Sequence, residues 1–315
     1  MNARSNSVGQ IRSVSAWATE NWRFFRMRVA GLTNQRAAMQ ALLAELDGYA
    51  ATYKEVTGRS MRDATIFEIG YGARPLRLLA LTSQGLNAYG IDLDTPMLTT
   101  SLGNLVQIRR SNGWLRFGKS AIRSLIFDRH ERRALDAALG ARGAKLVVKS
   151  ERFLVGDVVN LQLPEGSVDL FYSEDVFEHI PLTSMDAVCA SLAQALSENG
   201  VALISPVVFT GLSGGHLPEW YPHTLQKTQS RHSKPWEHLR DRRYTADCHL
   251  NEMRLSDFEA LFARHFAVEA IRNLQPDHGR AFLSDEIRNE LHSYSHEELL
   301  GYKWCFVLRR RPHTP

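Results

Sequence analysis

The stretch ATIFEIGYGARP, residues 64–75, decides the fold. Its first seven residues are a short apolar run ending in glycine, the pattern of a strand buried on both faces of a sheet. The overlapping segment ARPLRLLALTSQG (73–85) predicts a helix: Pro75 suits a first helical turn, and Gly85 lies just past the last. LNAYGIDLD (86–94) then reads as a second strand. Strand, glycine loop, helix and strand form the opening unit of a parallel sheet.

The alternation continues downstream. RFLVGDVVN (152–160) and SVDLFYSE (167–174) predict a third and a fourth strand, MDAVCASLAQALSENG (185–200) a helix and VALISPVVF (201–209) a fifth strand. RLSDFEALFARHF (254–266) predicts a helix with Ser256 as N-cap and Asp257 in its first turn. AVEAIRN (267–273) and YKWCFVLRR (302–310) predict two late strands. The fold class is therefore α/β, doubly wound. Upstream, residues 1–60 read as an N-terminal helical appendage, with apolar positions at helical spacing in AAMQALLAELDGYA. Residues 61–315 then make up one domain.

In an open α/β sheet, ligands bind at the carboxyl ends of the strands, where the strand order reverses. The loop from Glu68 to Pro75 falls at such an end. Gly70 and Gly72 let the backbone turn tightly and approach a ligand. Asp92, 22 residues after Gly70, stands where a strand-end acid accepts from ribose hydroxyls. Pro75 takes the third glycine place of the dinucleotide fingerprint, which disfavours a nicotinamide-dependent oxidoreductase. Glu68, two residues before the first glycine, points instead to a ligand with a cationic amino group. Adenosine carrying a cationic amino-acid tail is S-adenosylmethionine.

With FEIGYGARP (67–75), GIDLD (90–94), VGDVVNLQLPEGSVDLFYSEDVFEHI (155–180) and ENGVALISP (198–206) in this order, the sequence resembles the class I S-adenosylmethionine-dependent methyltransferases. The resemblance implies a Rossmann-like sheet of seven strands, mostly parallel, whose last strand runs antiparallel. It places Glu68, Gly70 and Gly72 at the methionine end of S-adenosyl-L-methionine and Asp92 on its ribose. Asp157 would accept from the adenine amino group, with the backbone of Val158 beside it. Arg74 is a departure, since many members have a third glycine or another small residue there.

Asp175, Glu178 and His179 lie at i, i+3 and i+4, so a helical turn over DVFEHI puts all three on one face. His216, in GGHLPEW after the fifth strand, comes from the adjacent strand end. Two carboxylates and two imidazoles make a divalent-metal set, in which oxygen favours magnesium or manganese and imidazole admits zinc. Such an ion lowers the pKa of a substrate hydroxyl. In a metal-free centre His179 or His216 is the general base. The cluster resembles those of the ubiquinone-biosynthesis O-methyltransferases and the small-RNA 3′-terminal 2′-O-methyltransferases, with aspartate as the departure in the first ligand place. The expected activity is O-methylation of a small molecule or glycan. The alternatives are a catalytically inactive cofactor-binding module and an RNA 2′-O-methyltransferase.

The chain's 315 residues, 44% hydrophobic and 23% charged, exclude a mainly disordered protein. Three scattered cysteines without CxxC form neither a disulfide framework nor a zinc knuckle. The N-terminus lacks the apolar core of a secretory signal, so the expected location is cytoplasmic. Twelve Lys/Arg against four Asp/Glu between residues 107 and 152 outweigh the whole chain's net charge of +4. This surplus sits in a basic helical insertion (98–150) between Asp92 and Asp157. Within it, residues 107–133 interleave Arg and Lys with Trp114, Phe117, Ile122 and Leu125, a pattern suited to peripheral contact with an anionic membrane at its cytoplasmic face. A nucleic-acid partner is the less favoured reading. Residues 211–252 hold five of the twelve histidines together with Trp220, Tyr221, Trp236 and Tyr244, and predict a substrate lid.

Overall fold

The computed structural model describes residues 34–96, 98, 129–225, 233–242 and 249–311. Residues 1–33 of the N-terminal appendage, 99–128 of the basic insertion with most of the 107–133 stretch, and 226–232 and 243–248 of the lid lie outside the described residues. The chain runs through α1 (Gln35–Thr57), β1 (Thr65–Ile69), α2 (Leu76–Ser83), β2 (Asn87–Asp92), α3 (Arg129–Gly140), β3 (Phe153–Val155) and β4 (Val168–Glu174). It continues through α4 (Leu182–Ala195), β5 (Leu196–Ser205), α5 (Pro222–Leu225), α6 (Glu237–Arg240), α7 (Leu255–His265), β6 (Phe266–Asn273), α8 (Asp285–Glu290), α9 (His296–Leu300) and β7 (Trp304–Arg310).

The seven strands form one sheet in the order β3-β2-β1-β4-β5-β7-β6. β1 to β5 pair in parallel, and β7 runs antiparallel between β5 and β6. The strand order reverses between β1 and β4, which sets the ligand crevice at their carboxyl ends. One apolar core joins α1, α2 and α3 to the sheet through Leu43, Tyr53, Leu78, Leu135 and Leu170. The core on the other side gathers Phe67, Phe171, Leu192, Phe258, Phe262 and Phe306. Helix α1 thus buries its apolar stripe, from Met39 to Tyr53, in the main core.

Local chemistry moves three boundaries from their predicted places. β3 stops at Val155 because Asp157 turns the chain: its carboxylate accepts from Val159 N at 3.0 Å and caps a 3-10 turn over Val158–Asn160. The fifth strand begins at Leu196, with a register shift that takes up the SENG segment before Val201 meets Leu170. Arg254, not Ser256, is the N-cap of α7, and its backbone N donates to Asp257 Oδ2 at 2.8 Å.

The expected lid is one half of a larger cap. Residues after β5 and the β6–β7 connection share a third apolar core of Leu212, Trp220, Trp236, Ile287, Leu291, Leu299 and Leu300. Backbone bonds from Leu274 N to Lys303 O (2.8 Å) and from Tyr302 N to Gln275 O (3.2 Å) close the neck of that connection. Among the described residues, no helix is long and apolar enough to cross a membrane.

Candidate active site

The glycine loop leaves β1 at the crevice. Gly70 and Gly72 adopt φ of 78° and 68°, a region that glycine enters without a Cβ penalty. At Gly70 there is a second constraint: a Cβ would lie 2.1 Å from a methyl group of Val176, which is seated over the loop. Gly70 N donates to Ile91 O and Gly72 N to Asp92 Oδ2, each at 2.8 Å. The other Asp92 oxygen accepts from Asp94 N at 2.8 Å, so the carboxylate is fixed at the end of β2. Tyr71 donates to Leu154 O at 2.6 Å and ties the loop to β3. Arg74 turns outward to pair with Glu131 of α3, which keeps its bulk clear of the turn.

Glu68, near the end of β1 and two residues before Gly70, is only 2% exposed, and its Oε2 has no hydrogen-bond partner. Burial pushes its carboxyl up to about 7 against the pull of the Arg77 guanidinium, with Asp92 and Glu174 adding to the rise. Asp157 and Val158 are half-buried at the end of β3. Leu93, Val155 and Val159 leave apolar surface bare at the same strand ends, beside Asp92 and Asp157. Next to the glycine loop, a cavity of about 530 Å³ is lined by Leu42, Glu45, Tyr71, Arg74, Arg77 and Lys303, among others.

Beyond β4, Glu178 and His179 lie on a 3-10 turn over Phe177–His179, and His216 arrives from the cap with φ 52°. The Nε2 atoms of both histidines lie 3.9 Å from Glu178 Oε1, and one ligand atom from each of the three lies within 4.8 Å of the others. The two rings stand edge to face with centroids 5.0 Å apart. His179 Nδ1 lies 2.8 Å from His249 O, which assigns its proton there and leaves the Nε2 lone pair aimed at the cluster. Neither Glu178 oxygen nor His216 Nε2 has a partner in ordinary hydrogen-bond geometry. Burial, then Asp175, raises the Glu178 carboxyl, while the backbone N–H groups of Glu178 and Val207 oppose that rise. Burial, then His179 and His238, hold His216 down at about 4.

Asp175 stands outside this group. It has φ 56° and its N donates to Ser205 O at 3.0 Å, so the helical turn that would align it with Glu178 and His179 begins only after it. Asp175 is exposed, and the protein mass around it raises its carboxyl. Aspartate is also one methylene shorter than glutamate. Sequence reasoning passed over Asn251, whose amide donates to Phe177 O (2.7 Å) and Ile180 O (3.1 Å) while its N donates to Glu178 O (2.9 Å). Nothing local marks an asparagine 70 residues away as the brace of this turn. Tyr302 was also passed over; burial, then the charges of Asp175, Tyr221 and Glu178, raises its phenol.

The family model described as Methyltransferase domain matches residues 131–204, from α3 through β5. No curated protein matches the sequence. Among solved structures, a protein of Pyrococcus horikoshii aligns at 12% identity over 85% of this chain and 90% of its own, with a TM-score of 0.42. An S-adenosylmethionine dependent methyltransferase from Mesorhizobium loti aligns at 16% identity over 84% and 98%, with a TM-score of 0.41. Geranyl diphosphate C-methyltransferase from Streptomyces coelicolor aligns at 14% identity over 84% and 76%, with a TM-score of 0.41.

Proposed function

We propose that the chain is a class I S-adenosylmethionine-dependent methyltransferase, a reading supported by this strand order, this glycine loop and the methyltransferase-domain match, and that it methylates a hydroxyl oxygen of a small molecule or glycan at a divalent-metal centre formed by Glu178, His179 and His216. One observation carries the reading: three ligand atoms converge without hydrogen-bonding to one another, and the second nitrogen of His179 is tied to a backbone carbonyl. Buried polar atoms left unpaired are costly, and a cation removes that cost. A divalent ion held there supplies Lewis acidity that lowers the pKa of an acceptor hydroxyl.

The chain's own residues contribute alignment and desolvation. Val176 over Gly70 ties the reaction turn to the cofactor loop, and Asn251 fixes the carbonyls of that turn. Tyr221 of the cap stands beside the centre, its ring centroid 6.1 Å from that of His216. Methyl transfer is a one-step displacement: the acceptor hydroxyl gives up its proton to solvent, its oxygen bonds to the methyl carbon, and the carbon–sulfur bond breaks to release S-adenosylhomocysteine. A second reading makes His216 the base that takes the hydroxyl proton, because burial keeps its ring neutral at physiological pH.

Titration with S-adenosylhomocysteine and with Mn²⁺ tests both. The expected result is micromolar binding of the first and a Mn²⁺ site lost in Glu178→Gln and His216→Ala. Full methyl transfer after exhaustive chelation would overturn the metal reading and leave His216 as base.

A further inference from the structure

A second cluster of charged side chains lies on the opposite side of the β4 end, under the turn that carries the reaction centre. Glu174, the last residue of β4, is 7% exposed, and its carboxylate is held from two sides. Tyr49 of α1 donates to one oxygen and Lys303, at the start of β7, pairs with the other. Lys303 Nζ also lies 3.1 Å from Glu45 Oε1, and Arg77 Nε donates to Glu45 Oε2 at 3.0 Å. α1, α2, β4 and the β7 end of the cap neck thus meet at one ionic knot, and Lys303 is its central cation.

Burying such a knot gains little stability, since apolar residues of similar volume hold a core equally well. Its value lies in fixing geometry, and its position shows which geometry. The three residues after Glu174 are Asp175, in a left-handed conformation, Val176, seated over Gly70, and Phe177, which opens the turn bearing Glu178 and His179. A rotation of the Glu174 backbone therefore moves the cover of the cofactor loop and the acid/His turn together. Lys303 is fixed in turn by the neck bond from Leu274 N and by a bridge to Val207.

We propose that Lys303 is a positioning residue for methyl transfer: acting through Glu174, it sets the distance between the glycine loop and the Glu178–His179–His216 centre. This rests on the functional reading above. The test compares Lys303→Met, Lys303→Arg and Tyr49→Phe with the unchanged protein, reading dissociation constants for S-adenosylhomocysteine and Mn²⁺. Arg254→Met is the control, because it breaks the Arg254–Glu298 pair between the start of α7 and the cap (3.1 Å), which shares no residue with the knot. Lys303→Met is expected to weaken both ligands by about tenfold, as loss of a supporting residue does at a metal site. Lys303→Arg, which keeps the charge, stays within about threefold of wild type. Arg254→Met lowers the melting temperature without moving either constant.

Wild-type affinities in a folded Lys303→Met overturn the proposal. Should that variant fail to fold, Tyr49→Phe decides: loss of one hydroxyl on Glu174 is expected to weaken binding by about threefold, and unchanged constants overturn the proposal. If the wild-type protein binds no S-adenosylhomocysteine, the cofactor reading itself fails. If it binds that ligand but no Mn²⁺, the metal reading fails and Lys303 is judged on S-adenosylhomocysteine alone.

Discussion

Glu68 gives the crevice a pH-dependent stability whose sign follows from its burial. Its carboxyl lies at about 7 in the fold against an ordinary value of 4.5, so the folded state binds the proton more tightly. That contribution is fully present below pH 4.5 and is lost as pH rises through 7. Relative to Glu68→Gln, which cannot ionise, the wild-type protein is expected to lose on the order of 3 kcal/mol across that window. Denaturant unfolding of both proteins at pH 4 and pH 8 measures it, and parallel curves would refute it. At this scale the glycine turn after β1 was legible, because Gly70 and Gly72 at positive φ and the strand-end Asp92 that accepts from Gly72 N leave marks in the sequence. Asp175 was not, because an aspartate in the left-handed region looks like any other aspartate. Asn251 was not, because its work is done on backbone carbonyls far away in the chain.

The cap is the element whose reading changed most. Its tryptophans argued against a solvated loop, but no local pattern pairs residues 211–240 with 282–300, which meet only through long-range packing. Trp236 is fully buried there, with φ 52° at the start of α6. Trp236→Ala removes a large side chain from a small core, a change that costs about 3–5 kcal/mol in a well-packed interior. The cap core is separate from the two sheet cores, so the expected outcome is local. Limited proteolysis should cut the variant within 206–303 while S-adenosylhomocysteine still binds to the sheet. Loss of binding in step with cutting would mean that cap and sheet unfold as one unit.

For the molecule as a whole, the alternation of strands and helices was readable from periodicity, whereas the antiparallel seventh strand came through the family resemblance. Spacing alone does not say that β7 inserts between β5 and β6. That insertion joins residues far apart in sequence, pairing Val201–Ile204 with Phe306–Arg309 on one side and Phe266–Asn273 with Trp304–Arg310 on the other. A chain ending at residue 303 leaves two strand edges bare and is expected to aggregate, whereas one ending at 311 stays soluble. Fractionating the two after expression checks this. The same insertion orders events on the ribosome. β1 to β5 precede β6 and β7 in the chain, and among the described strands β6 joins the sheet through the seven residues of β7. Lys303 immediately precedes those residues, so its pairing with Glu174 can form only after the last strand of the sheet has begun to be made.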